Sequence, residues 1–241
     1  MNLKVLGSSS SGNCYILDNG KEALLIEAGL SIKEISKALK FDFERVVGCL
    51  VSHRHGDHTR SLGNLDGLVD IYCNEDVAIS KKLKHYTEIK PFSILDIGGF
   101  EIIPFEVIHD VPCLGFFIKH EDMGKLAFIT DSAYADYTFK GVNHLLVECN
   151  YTNYELAESI KNGTTPEFQR NRLIQTHMEL GETINVIHSN KTDDLVNVVL
   201  LHLSARNSDE EFMVEQIKLN LGINAIVAKP GLELSLTKTL Y

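Results

Sequence analysis

The chain lacks three things that would send its reading elsewhere. It has no C-x-x-C pair, no apolar run near the ~20 residues of a membrane helix, and no excess of basic side chains. The five cysteines, Cys14, Cys49, Cys73, Cys113 and Cys149, are scattered and odd in number. That dispersal excludes a zinc ribbon or a thioredoxin-type motif and reads as reduced thiols, several of them small hydrophobes inside apolar runs. Basic residues number 23 against 33 acidic ones, a formal charge of −10 over 241 residues. No chain-wide basic face for gripping long nucleic acid is expected, although a local patch is compatible with that sum. The segment Met1–Gly7 breaks at once into Ser8-Ser9-Ser10-Ser11-Gly12. It has no signal-peptide layout, so a cytoplasmic location and no membrane association are expected. Low-complexity linkers and short-period repeats are also missing. With an ordinary apolar fraction of 44%, residues 1–241 are expected to form one α/β domain.

Short β-like runs dominate the first half: Leu3–Leu6, Cys14–Leu17, Ala23–Ile26 and Val46–Val51. Asp18-Asn19-Gly20 is a hairpin signal between two of them, and Ser8–Ser11 suits a tight loop between strands. Ser31 with Glu34 forms a capping box for a helix to Leu39. A further short helix is expected from His58 or Thr59, and another over Asn74–Leu83. Glu101–Ile108, Gly115–Lys119, Lys125–Thr130 and Asn143–Val147 read as strands. The next stretch is mainly helical, with Pro166 at a first helical position. Then come a strand over Val198–Leu201, a capping box at Ser208–Glu211 opening a helix to Gly222, and strands over Ile223–Val227 and Leu232–Leu236. Strands then helices, twice, suits two similar halves.

The informative feature is His53-Arg54-His55-Gly56-Asp57-His58, directly after the apolar run Val46–Val51. Three of the ten histidines and a carboxylate fall within six residues. Ionisable groups at the end of a buried strand need a partner, and a divalent metal uses all of them. Nitrogen and oxygen donors accept zinc, manganese or iron. His53 and His55 can share one ion across an extended turn, leaving Asp57 and His58 for a second. Two adjacent ions suit hydrolysis by a metal-activated hydroxide. A structural zinc site would favour thiolates in a closed tetrahedron, and no cysteine lies in this loop. Four more ionisable groups end apolar runs: Glu27, His109, Asp131 and His202. Sheet folds collect sites at strand ends.

The ordered set His53, His55, Asp57, His58, His109, Asp131 and His202 resembles the metallo-β-lactamase superfamily over nearly the whole chain. The resemblance implies an αββα four-layer sandwich, two facing mixed sheets flanked by helices, with a dinuclear site at one edge. By that likeness His53, His55 and His109 hold one metal, Asp57, His58 and His202 the other, and Asp131 bridges. The finer likeness is to a small bacterial branch suspected of DNA exonuclease activity, some members of which are encoded beside a cell-wall two-component regulator. It rests on Gly7–Asn13, His109-Asp110-Val111-Pro112, Gly115-Phe116, Thr130-Asp131-Ser132, Glu148-Cys149-Asn150 and His202–Asn207. One departure stands out: the family usually carries Asp where this chain has Glu27, a position that supports the ligand loop from behind.

The resemblance therefore implies a metal-dependent phosphodiesterase with two divalent ions, acting on nucleic acid or on a small phosphodiester. Asp57 and Asp131 are the expected catalytic carboxylates. His177 reads either as general acid or as a structural residue of an apolar helix. Ser11, Asn13, Asn150 and Ser204 are candidate donors to phosphoryl oxygens. His188 reads as structural, and His85, His120 and His144 as surface residues. For a DNA substrate, Arg54, Arg170, Arg172, Arg206 and the cluster Lys81-Lys82-Leu83-Lys84-His85 are the places to seek phosphate contacts. A redox or thioester enzyme on the same scaffold, and a non-catalytic metal-binding module in a DNA-processing assembly, are the rivals.

Overall fold

The computed structural model describes residues 1–239, so the last two residues of the expected 1–241 domain lie outside the described residues. Its first half comprises β1 (Asn2–Gly7), β2 (Cys14–Asp18), β3 (Ala23–Ile26), α1 (Ile32–Ala38), β4 (Val46–Leu50), α2 (Gly56–Thr59), α3 (Leu62–Leu65), β5 (Ile71–Cys73), α4 (Glu75–Lys81) and β6 (Thr87–Glu88). The second comprises β7 (Leu95–Ile97), β8 (Phe100–Val107), β9 (Cys113–His120), β10 (Gly124–Ile129), β11 (His144–Glu148), α5 (Asn153–Lys161), α6 (Glu167–Thr176), α7 (Leu180–Asn190), β12 (Asn197–Leu201), α8 (Glu210–Leu221), β13 (Ile226–Val227) and β14 (Glu233–Ser235).

Two seven-stranded sheets result, ordered β14-β1-β2-β3-β4-β5-β6 and β13-β12-β11-β10-β9-β8-β7. Both repeat one pattern. From β14 to β3, and from β7 to β10, neighbours are antiparallel. From β3 to β6, and from β10 to β13, they are parallel. Antiparallel neighbours need only tight turns, whereas most of the parallel steps are spanned by helices. The first hairpin shows why: Asp18 Oδ1 accepts from Gly20 N, and Asn19 Oδ1 accepts from Lys21 N and Glu22 N. The strand β14 returns from the C-terminal end to complete the first sheet, which gives the two halves matched edges.

Three apolar clusters separate the four layers. One lies between the sheets, around Tyr15, Phe100, Phe116 and Phe128. A second joins the second sheet to α7 and α8 through Val186, Ile187, Met213 and Ile217. The third joins the first sheet to α1, α3 and α4 through Ile35, Leu62 and Val77. This is the expected αββα sandwich.

Local departures have local causes. Pro166 is the N-cap of α6, with extended backbone, and not its first helical residue. Asp209 caps α8 by accepting from Phe212 N, because the Ser208 hydroxyl is spent on the Ser204 carbonyl 2.6 Å away. The last expected strand pair is shorter, and β5, β6 and β7 had no counterpart in the sequence reading. His144 and His120 are not surface residues: both are buried. His144 bonds the Met123 carbonyl and the Asn197 side chain, and His120 lies 3.1 Å from Glu22.

Candidate metal centre

All seven expected ligands meet at one edge of the sandwich. Backbone hydrogen bonds zip the supporting loops together: Asn13 N to Asp57 O, Gly29 N to Asn13 O, and Ala28 N to His58 O, at 2.7–2.9 Å. Gly29 is required there, since a Cβ would stand 1.6 Å from the Asp57 carbonyl oxygen. His53 follows β4, His109 follows β8, Asp131 follows β10 and His202 follows β12. Short sequence distance places Asp57 and His58 on α2.

Four sets of donor atoms lie within 4.8 Å of one another: His53, His55 and His109; His53, His58 and Asp131; Asp57, His58 and His202; and Asp131, Glu148, His177 and His202. Asp131 belongs to two sets and sits between the two halves of the cluster. Its Oδ2 is 3.0 Å from His58 Nε2, and its Oδ1 is 3.4 Å from His202 Nδ1.

The donors fit a cation. His109 Nδ1 donates to the Thr176 carbonyl at 2.9 Å, and His55 Nε2 faces Asp110 Oδ1 at 3.3 Å. The inward nitrogens of both rings therefore carry lone pairs when neutral. Yet they face each other at 3.2 Å, and His53 Nε2 is 3.0 Å from His55 Nδ1. Burial presses the His53 and His55 imidazoles down, so protons do not fill the gap. Converging lone pairs call for a cation, and a tetrahedral zinc-like ion spaces its nitrogens about 3.3 Å apart. Beside them, His202 Nε2 and His58 Nδ1 are buried without a hydrogen-bond partner.

Charge balance points the same way. Burial alone would lower the pKa of His58 and His202. The carboxylates, Asp131 first, outweigh it, driving His58 well up and His202 up to about 10. Burial would likewise raise Asp57, Asp131 and Glu148, but the histidines hold all three below the usual carboxylate range. In the metal-free chain, protons on His58 and His202 serve as the counter-charge that a divalent ion would supply.

Two carboxylates support the cluster from behind. Glu27 is fully buried, accepts from Ser52 N at 3.3 Å and faces His58 Nδ1 at 3.4 Å. The extra methylene relative to Asp thus spans the base of the histidine loop and one of its rings. Glu148, absent from the expected site list, accepts from His177 Nδ1 at 2.7 Å and faces His202 Nδ1 at 3.2 Å. It also accepts from Ser132 N and Met178 N. The signal was present in the sequence: Glu148 ends the apolar run Leu145–Val147, as Asp131 and His202 end theirs.

His177, at the C-cap of α6, does face the cluster, its ring 5.2 Å from that of His202. Burial opposes its protonation, but Glu148 and Asp131 outweigh burial and raise its pKa. Other candidates behave differently. Asn13 donates to Asp57 and lies 3.0 Å from His58 Nε2, and Asn150 donates to the His202 carbonyl. Ser204 accepts from Arg206 N and Asn207 within its own turn, and Ser11 meets Arg60. Lys84 and His85 bind Asp66 through their backbone amides, away from the cluster, and His188 is exposed on α7. A cleft of about 510 Å³ opens over the ligands, walled on one side by α6.

A family model for the β-lactamase superfamily domain matches residues 23–202. The chain belongs to the metallo-β-lactamase superfamily. As a member it is a metal-dependent hydrolase with a divalent-metal site. Among curated proteins it is similar to the exodeoxyribonuclease YycJ of Bacillus anthracis, 30% identical over 234 residues, covering 88% of this chain and 85% of that one. It is also similar to the exodeoxyribonuclease WalJ of Streptococcus pneumoniae, 25% identical over 246 residues, with 91% and 89% covered. Among solved structures, the metallo-β-lactamase fold protein YhfI of Bacillus subtilis superposes with a TM-score of 0.75 at 20% identity, covering 97% of this chain and 99% of that one. No described helix is long and apolar enough to cross a membrane.

Proposed function

We propose that this metallo-β-lactamase superfamily member is a phosphodiesterase of the DNA-exonuclease type, acting in the cytoplasm with two divalent ions, zinc, manganese or iron. His53, His55 and His109 would hold one ion, Asp57, His58 and His202 the other, and Asp131 would contact both. When bound, such ions supply Lewis acidity and lower the pKa of water towards neutrality. The chain's own groups do the rest. Asp57, partly exposed at the cleft floor, orients the attacking water. His177 supplies the proton to the departing oxygen from Nε2, because Nδ1 is committed to Glu148. Glu148, with Asp131, raises the pKa of that imidazole against the opposing effect of burial, the direction that favours an acid.

The His177–Glu148 pair carries the reading. An alkoxide leaving group requires a proton, whereas a thiolate leaves readily without one. A buried carboxylate that raises the proton affinity of a histidine on the cleft therefore favours phosphodiesters over thioesters. The relatives named exodeoxyribonuclease support DNA as the polymer. A small phosphodiester is the second reading, favoured by the net charge of −10.

The test is an assay of metal-loaded protein on end-labelled single-stranded DNA, double-stranded DNA, RNA, bis-p-nitrophenyl phosphate and an acyl thioester, with a chelator control. Progressive, chelator-sensitive shortening of DNA is the expected result. Cleavage of the small ester with intact polymers would select the second reading, and thioester cleavage alone would reject both.

A further inference from the structure

The helix α6 contributes little to the core. Of its ten residues only Thr176 is buried, Leu173 is half-buried and the rest are exposed. Its placement is nonetheless fixed at the site end. The Thr176 carbonyl holds His109, and His177 follows immediately. Phe168 and Arg172, one helical turn apart, share a face, and both line the cleft above the ligand cluster. Phe168 is 81% exposed. Polar side chains, Gln169 and Arg172, flank it on the cleft wall. A lone flat ring among polar groups is a poor protein-docking patch, which needs contiguous apolar area. It is a good surface for a planar base.

The charge pattern agrees. The chain has six arginines. Arg45 is tied to Asp18. The other five, Arg54, Arg60, Arg170, Arg172 and Arg206, lie in chain segments next to the site residues, Arg54 being paired with Asp76 at 2.7 Å. Arg60 reaches Ser11 O on the loop beside the cleft, and Arg206 reaches Thr164 O on the approach to α6. Arg172 gives Nη2 to Asp110 Oδ2 at 3.1 Å, which points the guanidinium towards the ligands. A guanidinium has further N–H groups for a phosphate fork. Of these five arginines, Arg172 is the one that lines the cleft.

We propose that Phe168 and Arg172 form a nucleotide subsite at the cleft mouth, where one base of a DNA strand stacks on the Phe168 ring and the adjoining phosphate takes the Arg172 fork. The inference rests on the phosphodiesterase reading above. A base inside a duplex has both faces covered by its stacked neighbours, so the subsite takes single strands or strand ends.

The test compares wild type, Phe168→Ala, Phe168→Trp and Arg172→Ala on a single-stranded oligonucleotide and on bis-p-nitrophenyl phosphate, which has no flanking base. For Phe168→Ala, KM for the oligonucleotide is expected to rise roughly tenfold, a loss at least fivefold greater than on the small ester, with Trp restoring it. For Arg172→Ala, the slope of log affinity against log salt is expected to fall by about 0.7. Thermal melting checks that each variant folds. Equal losses on both substrates, or none on the oligonucleotide, overturn the subsite while DNA hydrolysis stands. Wild type that cleaves the ester and no oligonucleotide overturns the phosphodiesterase reading for DNA, and the subsite with it.

Discussion

His144 gives the sharpest quantitative test, because it is a buried titrating group outside the candidate metal cluster. It opens β11 with no exposed surface. Nε2–H donates to the Met123 carbonyl at 3.1 Å, and Nδ1 accepts from the Asn197 amide at 3.0 Å. The neutral ring uses both nitrogens and leaves no acceptor for a second proton. Burial accordingly pushes its pKa down to about 4, against about 6.5 in an unfolded chain. Because the folded pKa is the lower one, the unfolded chain binds the proton first. The stabilisation is complete above about pH 6.5 and is lost progressively as pH falls towards the folded value. Linkage gives a loss of about 2 kcal/mol at pH 5, approaching roughly 3 kcal/mol near pH 4. Urea unfolding of metal-stripped wild type and His144→Gln, from about pH 7.5 downwards, isolates this residue, since the ligand histidines titrate alike in both. Wild type is expected to lose on the order of 2 kcal/mol more than the variant by pH 5. Parallel profiles would refute the buried neutral tautomer.

Three further outcomes follow from the site. Asp131→Ala should cut turnover by about a thousandfold or more while the fold persists; a folded variant with unchanged turnover rejects the bridging role. His177→Ala should lower kcat on DNA by roughly 10²–10⁴ with little change in KM, and far less on bis-p-nitrophenyl phosphate, whose nitrophenolate leaves unprotonated; equal losses on the two substrates would count against a general acid. Gly29→Ala should destabilise the protein by about 1–3 kcal/mol and weaken metal binding, since the new methyl meets the Asp57 carbonyl; calorimetric titration with zinc showing wild-type affinity would contradict that.

What could be read from the sequence divides along sequence distance. The loop His53–His58 declares itself because its ligands are local, and one turn plus α2 suffices to aim them. His109, Asp131 and His202 were legible as ionisable groups ending apolar strands, although their convergence depends on the order of strands in two sheets. Glu148 carries the same signal but was quoted only as part of a motif. Its work, gathering His177, His202 and two backbone amides, appears only when α6, α7 and β11 are packed. His144 and His120 failed for the opposite reason. Neither has a neighbouring constellation in sequence, and their partners, Met123, Asn197 and Glu22, come from other strands and turns. The short strands β5, β6 and β7 are stabilised by their neighbours and show little pattern of their own. Cap positions at Pro166 and Asp209 shifted by one residue, because competing hydroxyl and carbonyl partners are set by the folded turn.

The matched sheets make an asymmetry in the site informative. Glu27 follows β3 and Asp131 follows β10, equivalent strands in the two halves, and both have positive φ, 65° and 48°. His202, after β12, has φ of 54°. A non-glycine residue in this left-handed region costs roughly 1–2 kcal/mol, and glycine would relieve it at each position. All three instead carry an ionisable side chain buried in the cluster. Strain retained where glycine would fit argues that the side chain is needed. The bend also explains how the need is met: a left-handed step turns the chain away from the strand direction, and the side chain at that step meets the histidines of the cluster. From equivalent corners, Glu27 braces His58 and Ser52 while Asp131 faces His58 and His202 directly. The two halves share a backbone device, and side-chain length assigns it two jobs, support in the first half and direct contact in the second.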